Sequence, residues 1–166
     1  MDSIENKVAK SGLITLEMKS FKGDQKRSVI DIKNWLYEGL ILKEKLFREH
    51  IKNHDWGQYK NHYISIHCSE DAIIPVWSYM LVVAKLKPFT SNIVMGDEKE
   101  LEKFIFNLNI SKIDLSSFSE KRVLIKGCSE TYIPEESFLT IVNTLHGTVK
   151  SVMFGEACSN VPIFKS

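Results

Sequence analysis

From residue 62 onward, short apolar runs alternate with longer amphipathic segments, and this alternation most narrows the folds open to the chain. Residues 62–67, 91–95, 121–126 and 151–154 read as strands. Between them, 75–89, 97–108 and 134–145 read as helices. Two of these helices open on a proline, Pro75 and Pro134, where a missing N–H costs least. Strand–helix–strand repetition of this kind predicts βαβ units and a mostly parallel sheet with right-handed crossovers. Upstream, 13–18 and 28–32 read as strands on either side of a polar turn at 22–25, predicting an N-terminal strand pair or hairpin. A helix is expected over 42–54. Its apolar face, Leu42, Leu46, Phe47 and Ile51, needs a sheet to pack against. The expectation is a single α/β domain over residues 1–166.

Composition removes several function classes. The chain has 166 residues, 43% hydrophobic and 26% charged, so it can build a real core. A formal net charge of +1 gives no generic attraction to nucleic acid or to an anionic membrane surface. The longest apolar run, 73–86, is too short to cross a bilayer and contains Ser78 and Lys85. Residues 1–10 have no apolar signal-like stretch. A cytoplasmic location with reduced thiols is therefore expected, and the odd number of cysteines, three, fits it.

Those cysteines share a context. Cys68 follows the first of the four strands, Cys128 the third and Cys158 the fourth. Each is followed by serine, then by a short segment ending in an aliphatic residue and proline: Ile74-Pro75, Ile133-Pro134, Val161-Pro162. In a parallel sheet the C-terminal strand ends line one edge, where open α/β sheets bind ligands and helix N-termini depress thiol pKa values. Asp97 takes the corresponding place after the remaining strand. The expectation is a metal or iron–sulfur site built from Cys68, Cys128 and Cys158. Asp97 is the favoured fourth ligand, with Glu156, solvent or a group from a partner as alternatives. Zinc would need the sulfurs within about 3.8 Å of one another, whereas a cluster spans a wider gap.

Plainer roles compete with this one. A cysteine is commonly a small buried hydrophobe. Asp97-Glu98-Lys99-Glu100 reads as a capping box. His50 and His54 have helical spacing but no third ligand in view. Thiol-based carriage of sulfur or redox equivalents, and non-catalytic interaction with structural cysteines, both remain open. No residue is singled out as catalytic, so enzymatic activity is left open too.

The segments Gly39-Leu-Ile-Leu-Lys-Glu-Lys, Phe47-Arg-Glu, Lys52-Asn-His-Asp-Trp56, Cys68-Ser69-x-Asp71-Ala-Ile, Lys126-Gly-Cys-Ser129 and Met153-Phe-Gly-Glu-x-Cys-Ser159 resemble an uncharacterised bacterial family, domain of unknown function 2480, over essentially the whole chain. The resemblance implies no activity and carries over no residue role. It is associated with gene neighbourhoods of iron–sulfur cluster assembly, which implies assembly proteins as partners.

Overall fold

The computed structural model describes residues 12–127 and 130–166. The described strands are β1 (Leu13–Glu17), β2 (Arg27–Asp31), β3 (Tyr63–His67), β4 (Ile93–Met95), β5 (Arg122–Lys126), β6 (Ser151–Glu156) and β7 (Ser159–Lys165). The described helices are α1 (Glu44–Asn53), α2 (Val76–Leu86), α3 (Glu98–Ile110) and α4 (Glu135–Leu145). Strand pairing is parallel everywhere except β6–β7. The α/β class is as the alternation predicts.

The strands do not form one sheet. They fall into a four-stranded sheet, β1-β5-β6-β7, and a three-stranded sheet, β2-β3-β4. The expected N-terminal hairpin is absent: β1 pairs with β5, and β2 with β3. Short 3-10 segments at Met18–Lys22 and Ile32–Trp35 carry the chain away at the ends of β1 and β2. Met18 and Ile32, both fully buried, anchor those segments, so neither strand can fold back on the other. Beyond the last strand read from the sequence, Ser159–Lys165 forms β7, antiparallel to β6.

The chain divides into two compact units. Unit 1 comprises Met1–Gly23 and Ile105–Ser166; unit 2 is Asp24–Phe104, inserted between them. Within each unit the apolar residues form one cluster. In unit 1 it includes Leu16, Met18, Phe106, Val123, Ile125, Ile141, Leu145 and Val152. In unit 2 it includes Ile30, Ile32, Phe47, Ile51, Ile64, Ile66, Val82 and Leu86. The helix expected over 42–54 therefore does pack on a sheet, through Phe47 and Ile51. Trp35 and Trp56 join it, with ring centroids 6.0 Å apart.

The two units are built alike. The registers Leu13↔Arg122 in β1–β5 and Arg27↔Tyr63 in β2–β3 set equivalent positions opposite each other. So do Val123↔Val152 in β5–β6 and Ile64↔Ile93 in β3–β4. From residue 44 to Asp97, each position has its counterpart at one constant offset, from residue 103 to Glu156. Phe47 and Ile51 thus match Phe106 and Ile110, all but fully buried. Val82 and Leu86 match Ile141 and Leu145.

Local backbone features repeat with the same offset. Asp55 accepts from Gly57 N–H at 3.0 Å, and Asp114 accepts from Ser116 N–H at 3.0 Å. Asn61 and Glu120 both have positive φ, 63° and 57°, just before a second strand. Helices α2 and α4 start on Pro75 and Pro134 and end with Lys87 and His146 N–H bonded to Val83 and Val142 carbonyls. The upstream pieces match as well: Leu16-Glu-Met-Lys-Ser-Phe21 in unit 1 and Ile30-Asp-Ile-Lys-Asn-Trp35 in unit 2. Both units are thus strand, 3-10 turn, helix, strand, helix, strand. In each, the parallel order 1-2-3 with right-handed crossovers puts both helices on one sheet face.

Candidate functional site

The C-terminal ends of β2 and β3 in unit 2 hold a polar cluster. Asp31, closing β2, accepts from Ser69 Oγ at 2.6 Å and Ser69 N–H at 3.1 Å. Burial pushes the Asp31 carboxyl up, but the bonds from Ser69 and the Lys33 N–H outweigh it and hold the group below the usual carboxylate range. Lys33 Nζ pairs with Glu70 at 2.8 Å, which raises the lysine above its ordinary value. The first strand and its 3-10 turn therefore hold the Cys68-Ser69-Glu70 loop in place. The Cys68 side chain is half-buried and packs against the apolar cluster of unit 2.

Asp97, after β4, acts as the N-cap of α3. Its Oδ1 accepts from Lys99 N–H at 2.9 Å and Glu100 N–H at 3.1 Å. The Glu100 N–H is the chief cause of its lowered pKa, and the charge of His67 adds to it. The Asp97 half of the capping box is present, while Glu100 Oε1 accepts from Lys103 Nζ at 2.8 Å.

Unit 1 carries similar residue types at the matching places: Glu17 for Asp31, Lys19 for Lys33, Lys126 for His67, Glu130 for Asp71 and Glu156 for Asp97. Here Lys19 pairs with Glu17 at 3.1 Å and Lys126 with Glu156 at 2.7 Å. Cys128 and Ser129 lie outside the described residues.

The three cysteines are not three equivalents along one edge. Cys68 follows β3 in unit 2, and Cys158 sits exposed in the tight turn joining β6 to β7 in unit 1. At the constant offset Cys68 falls opposite Gly127 and Ser69 opposite Cys128, so Cys-Ser-Glu recurs one position later in unit 1, and Cys158 lies beyond the matched stretch. The counterpart of Asp97 is Glu156, so Asp97 is not a stand-in for a cysteine. Among the described residues, no group of three or more His, Cys, Asp or Glu side chains is placed to hold a metal ion. His50 and His54 diverge in environment. His50 is exposed, whereas His54 bonds Tyr59 Oη at 2.9 Å, and burial lowers its pKa.

An apolar concavity lies elsewhere in unit 1. A groove of about 490 Å³ runs between α4 and the sheet, lined by Ile125, Phe138, Leu139, Val142, Phe154 and Ile163. Among the described residues, its walls come from α4 and from β5, β6 and β7. Leu139 is 74% exposed and Ile163 46%. Phe138 and Phe154 meet edge-to-face at 5.6 Å over Gly127. A Cβ at Gly127 would come within 2.8 Å of Phe138, so the glycine is what allows these rings to close over the strand end.

Unit 2 has the counterpart, a shallower groove of about 210 Å³ lined by Ile66, Tyr79, Val83, Lys87, Ile93 and Met95, among others. Ile66, Tyr79, Val83, Lys87 and Met95 are the matches of Ile125, Phe138, Val142, His146 and Phe154. Beside it, Met80, the match of Leu139, is 66% exposed. Sequence reasoning missed this pair of grooves because it did not compare the two halves of the chain. Comparing Ser78-Tyr79-Met80 with Ser137-Phe138-Leu139 would have exposed the repeat.

Among known protein families, residues 2–166 match the model described as "Protein of unknown function (DUF2480)". No curated protein and no solved structure matches the chain.

Proposed function

The chain belongs to the DUF2480 family, whose description assigns no activity, and from its geometry we propose that it is a non-catalytic interaction protein whose two related units present apolar grooves to a protein partner. The observation that carries this reading is the repetition of exposed apolar residues: Leu139 and Phe154 in one unit, Met80 and Met95 in the other. Core positions recur in a duplicated unit because the core must close. Exposed Leu, Met and Phe side chains have no such reason to recur, and contiguous exposed apolar patches mark interaction surfaces. The test is a photo-crosslinking residue at Leu139 in the full chain in its native cells. A discrete protein adduct that disappears when Phe154→Glu is added supports the proposal. Absence of any adduct, or an adduct unaffected by Phe154→Glu, overturns it.

A second reading is favoured by a separate observation, the recurrence of Cys-Ser-Glu after the second strand of each unit. On it, Cys68 and Cys128 are a functional pair in thiol chemistry and Cys158 is not. The three-cysteine metal or iron–sulfur centre, with Asp97 or Glu156 completing it and iron–sulfur assembly proteins as partners, is the rival outcome of one experiment. Metal content and alkylation rate are measured on anaerobically purified Cys→Ser variants. A shared centre loses its zinc or iron in all three variants. A thiol pair responds equally to Cys68→Ser and Cys128→Ser and is indifferent to Cys158→Ser.

A further inference from the structure

The two units differ at one place that the repeat makes legible: the far edge of the third strand. In unit 1 the third strand, β6, is paired on that edge with antiparallel β7, Val152 opposite Phe164 and Phe154 opposite Val161. In unit 2 the matching strand, β4, pairs with β3 alone among the described residues. Asn92 C=O accepts from Ile64 N–H at 2.9 Å, and Gly96 N–H donates to Ile66 C=O at 3.0 Å. Alternation along a parallel ladder then turns the peptide groups of Asn92, Val94 and Gly96 toward β3, and those of Ile93 and Met95 outward.

Among the described residues the groove of unit 2 reaches this strand: Ile93, Val94 and Met95 all line it. The side chains there match those over which β7 is laid in unit 1. Where His146 packs on Phe164 of β7, with ring centroids 5.0 Å apart, unit 2 has the exposed Lys87.

We infer that the edge of β4 receives an antiparallel strand from a partner protein, in the place β7 holds in unit 1. This rests on the interaction reading above and names the partner's chemistry: an extended segment with apolar residues at alternate positions and a carboxylate facing Lys87. Ile93 and Met95 supply main-chain hydrogen bonds, and the groove beside Tyr79 and Val83 takes the apolar side chains. Strand addition of this kind draws affinity from the backbone and selectivity from alternate side chains. A proline at Pro162 of β7 is tolerated because that position faces Met153, whose own peptide groups turn to β5.

The test uses the intact protein and two synthetic peptides, the sequence of residues 159–166 and the same peptide with Phe164→Glu. Saturable shifts of the Ile93 and Met95 amide resonances are expected. The Glu-bearing peptide is expected to bind at least threefold more tightly at low salt. Met95→Pro removes the outward N–H while leaving the β3 ladder, and should weaken binding at least tenfold. Should circular dichroism show that this variant does not fold, a peptide N-methylated at alternate residues is used on the unaltered protein, with the same loss expected.

Equal binding by Met95→Pro, or shifts confined to 151–156, overturns the inference. So does self-association without peptide that Met95→Pro abolishes, because the occupant would then be a second copy. These failures leave the Leu139 crosslink in unit 1 untouched, so loss of the edge site is distinguishable from loss of the interaction reading.

Discussion

Replacing Phe106 with alanine asks whether the two units unfold together. Phe106 is fully buried in the unit 1 cluster, and its repeat counterpart Phe47 is fully buried in unit 2. Truncating a buried Phe costs about 3–5 kcal/mol, a large part of the roughly 5–15 kcal/mol that holds a domain folded. With a urea slope of about 2 kcal/mol per molar, the midpoint should fall by about 1.5–2.5 M. The assay has a built-in reporter, because Trp35, Trp56 and Trp77 all belong to unit 2. Two features of the chain favour one cooperative transition. Unit 1 is assembled from segments on either side of unit 2, and α3 runs through the boundary at Phe104 and Ile105. Tryptophan fluorescence and far-UV circular dichroism of Phe106→Ala should therefore shift together, and Phe47→Ala should shift both to the same degree. A fluorescence transition left in place by Phe106→Ala, while the dichroism splits into two steps, would refute the single-domain expectation.

Other outcomes can be checked more simply. Ser69→Ala removes the hydroxyl that lowers Asp31, so the Asp31 carboxyl should titrate at higher pH by NMR. Because the folded pKa of Asp31 is depressed, its contribution to stability is present above the unfolded value near 3.8 and is lost as pH falls through the folded one. Burial keeps His54 neutral below its usual 6.5. Stability should therefore decline as pH falls from about 6.5 toward the folded His54 pKa, and His54→Phe should flatten that decline in pH-dependent urea unfolding. Cys158, exposed in its turn, should be alkylated faster than the half-buried Cys68, read by peptide mass spectrometry. Equal rates would contradict the burial difference.

Much of the secondary structure was legible because it is written locally. Pro75 and Pro134 mark the starts of α2 and α4, and the spacing of Phe47 and Ile51 marks the buried face of α1. Partner choice is written non-locally, and there the reading went astray. Nothing in residues 13–32 says that β1 pairs with β5 across an inserted unit, and adjacency suggested a hairpin instead. The cysteines misled for a related reason. Counting four strands in a row treated β4 and β5 as neighbours, although they stand in different sheets. The Val161-Pro162 segment shares its aliphatic-proline ending with Ile133-Pro134, but it lies within β7 rather than before a helix. Asp97 was read correctly as a cap because the capping box is a four-residue signal.

The polar residues that recur divide into two kinds, and the division bears on function. Asp55 and Asp114, Asn61 and Glu120, and Gly96 and Gly155 recur because a turn or a positive φ requires them. A Cβ at Gly155 would come within 2.6 Å of the Ser159 carbonyl, and one at Gly96 within 2.5 Å of the Glu100 side chain. The charges at the strand ends obey no such demand. Lys33 pairs with Glu70, whereas its counterpart Lys19 pairs with Glu17, and Lys126 pairs with Glu156. The residue types persist while their partners change, as expected of surface pairs worth only about 0–1 kcal/mol each. A site that depended on one fixed geometry at the strand ends would not tolerate that exchange. The apolar groove does keep its lining positions in both units, and in unit 2 it reaches the strand that has no β7 beside it among the described residues. Selective recognition by this fold is therefore better placed at the side of the third strand than at the ends of the first two.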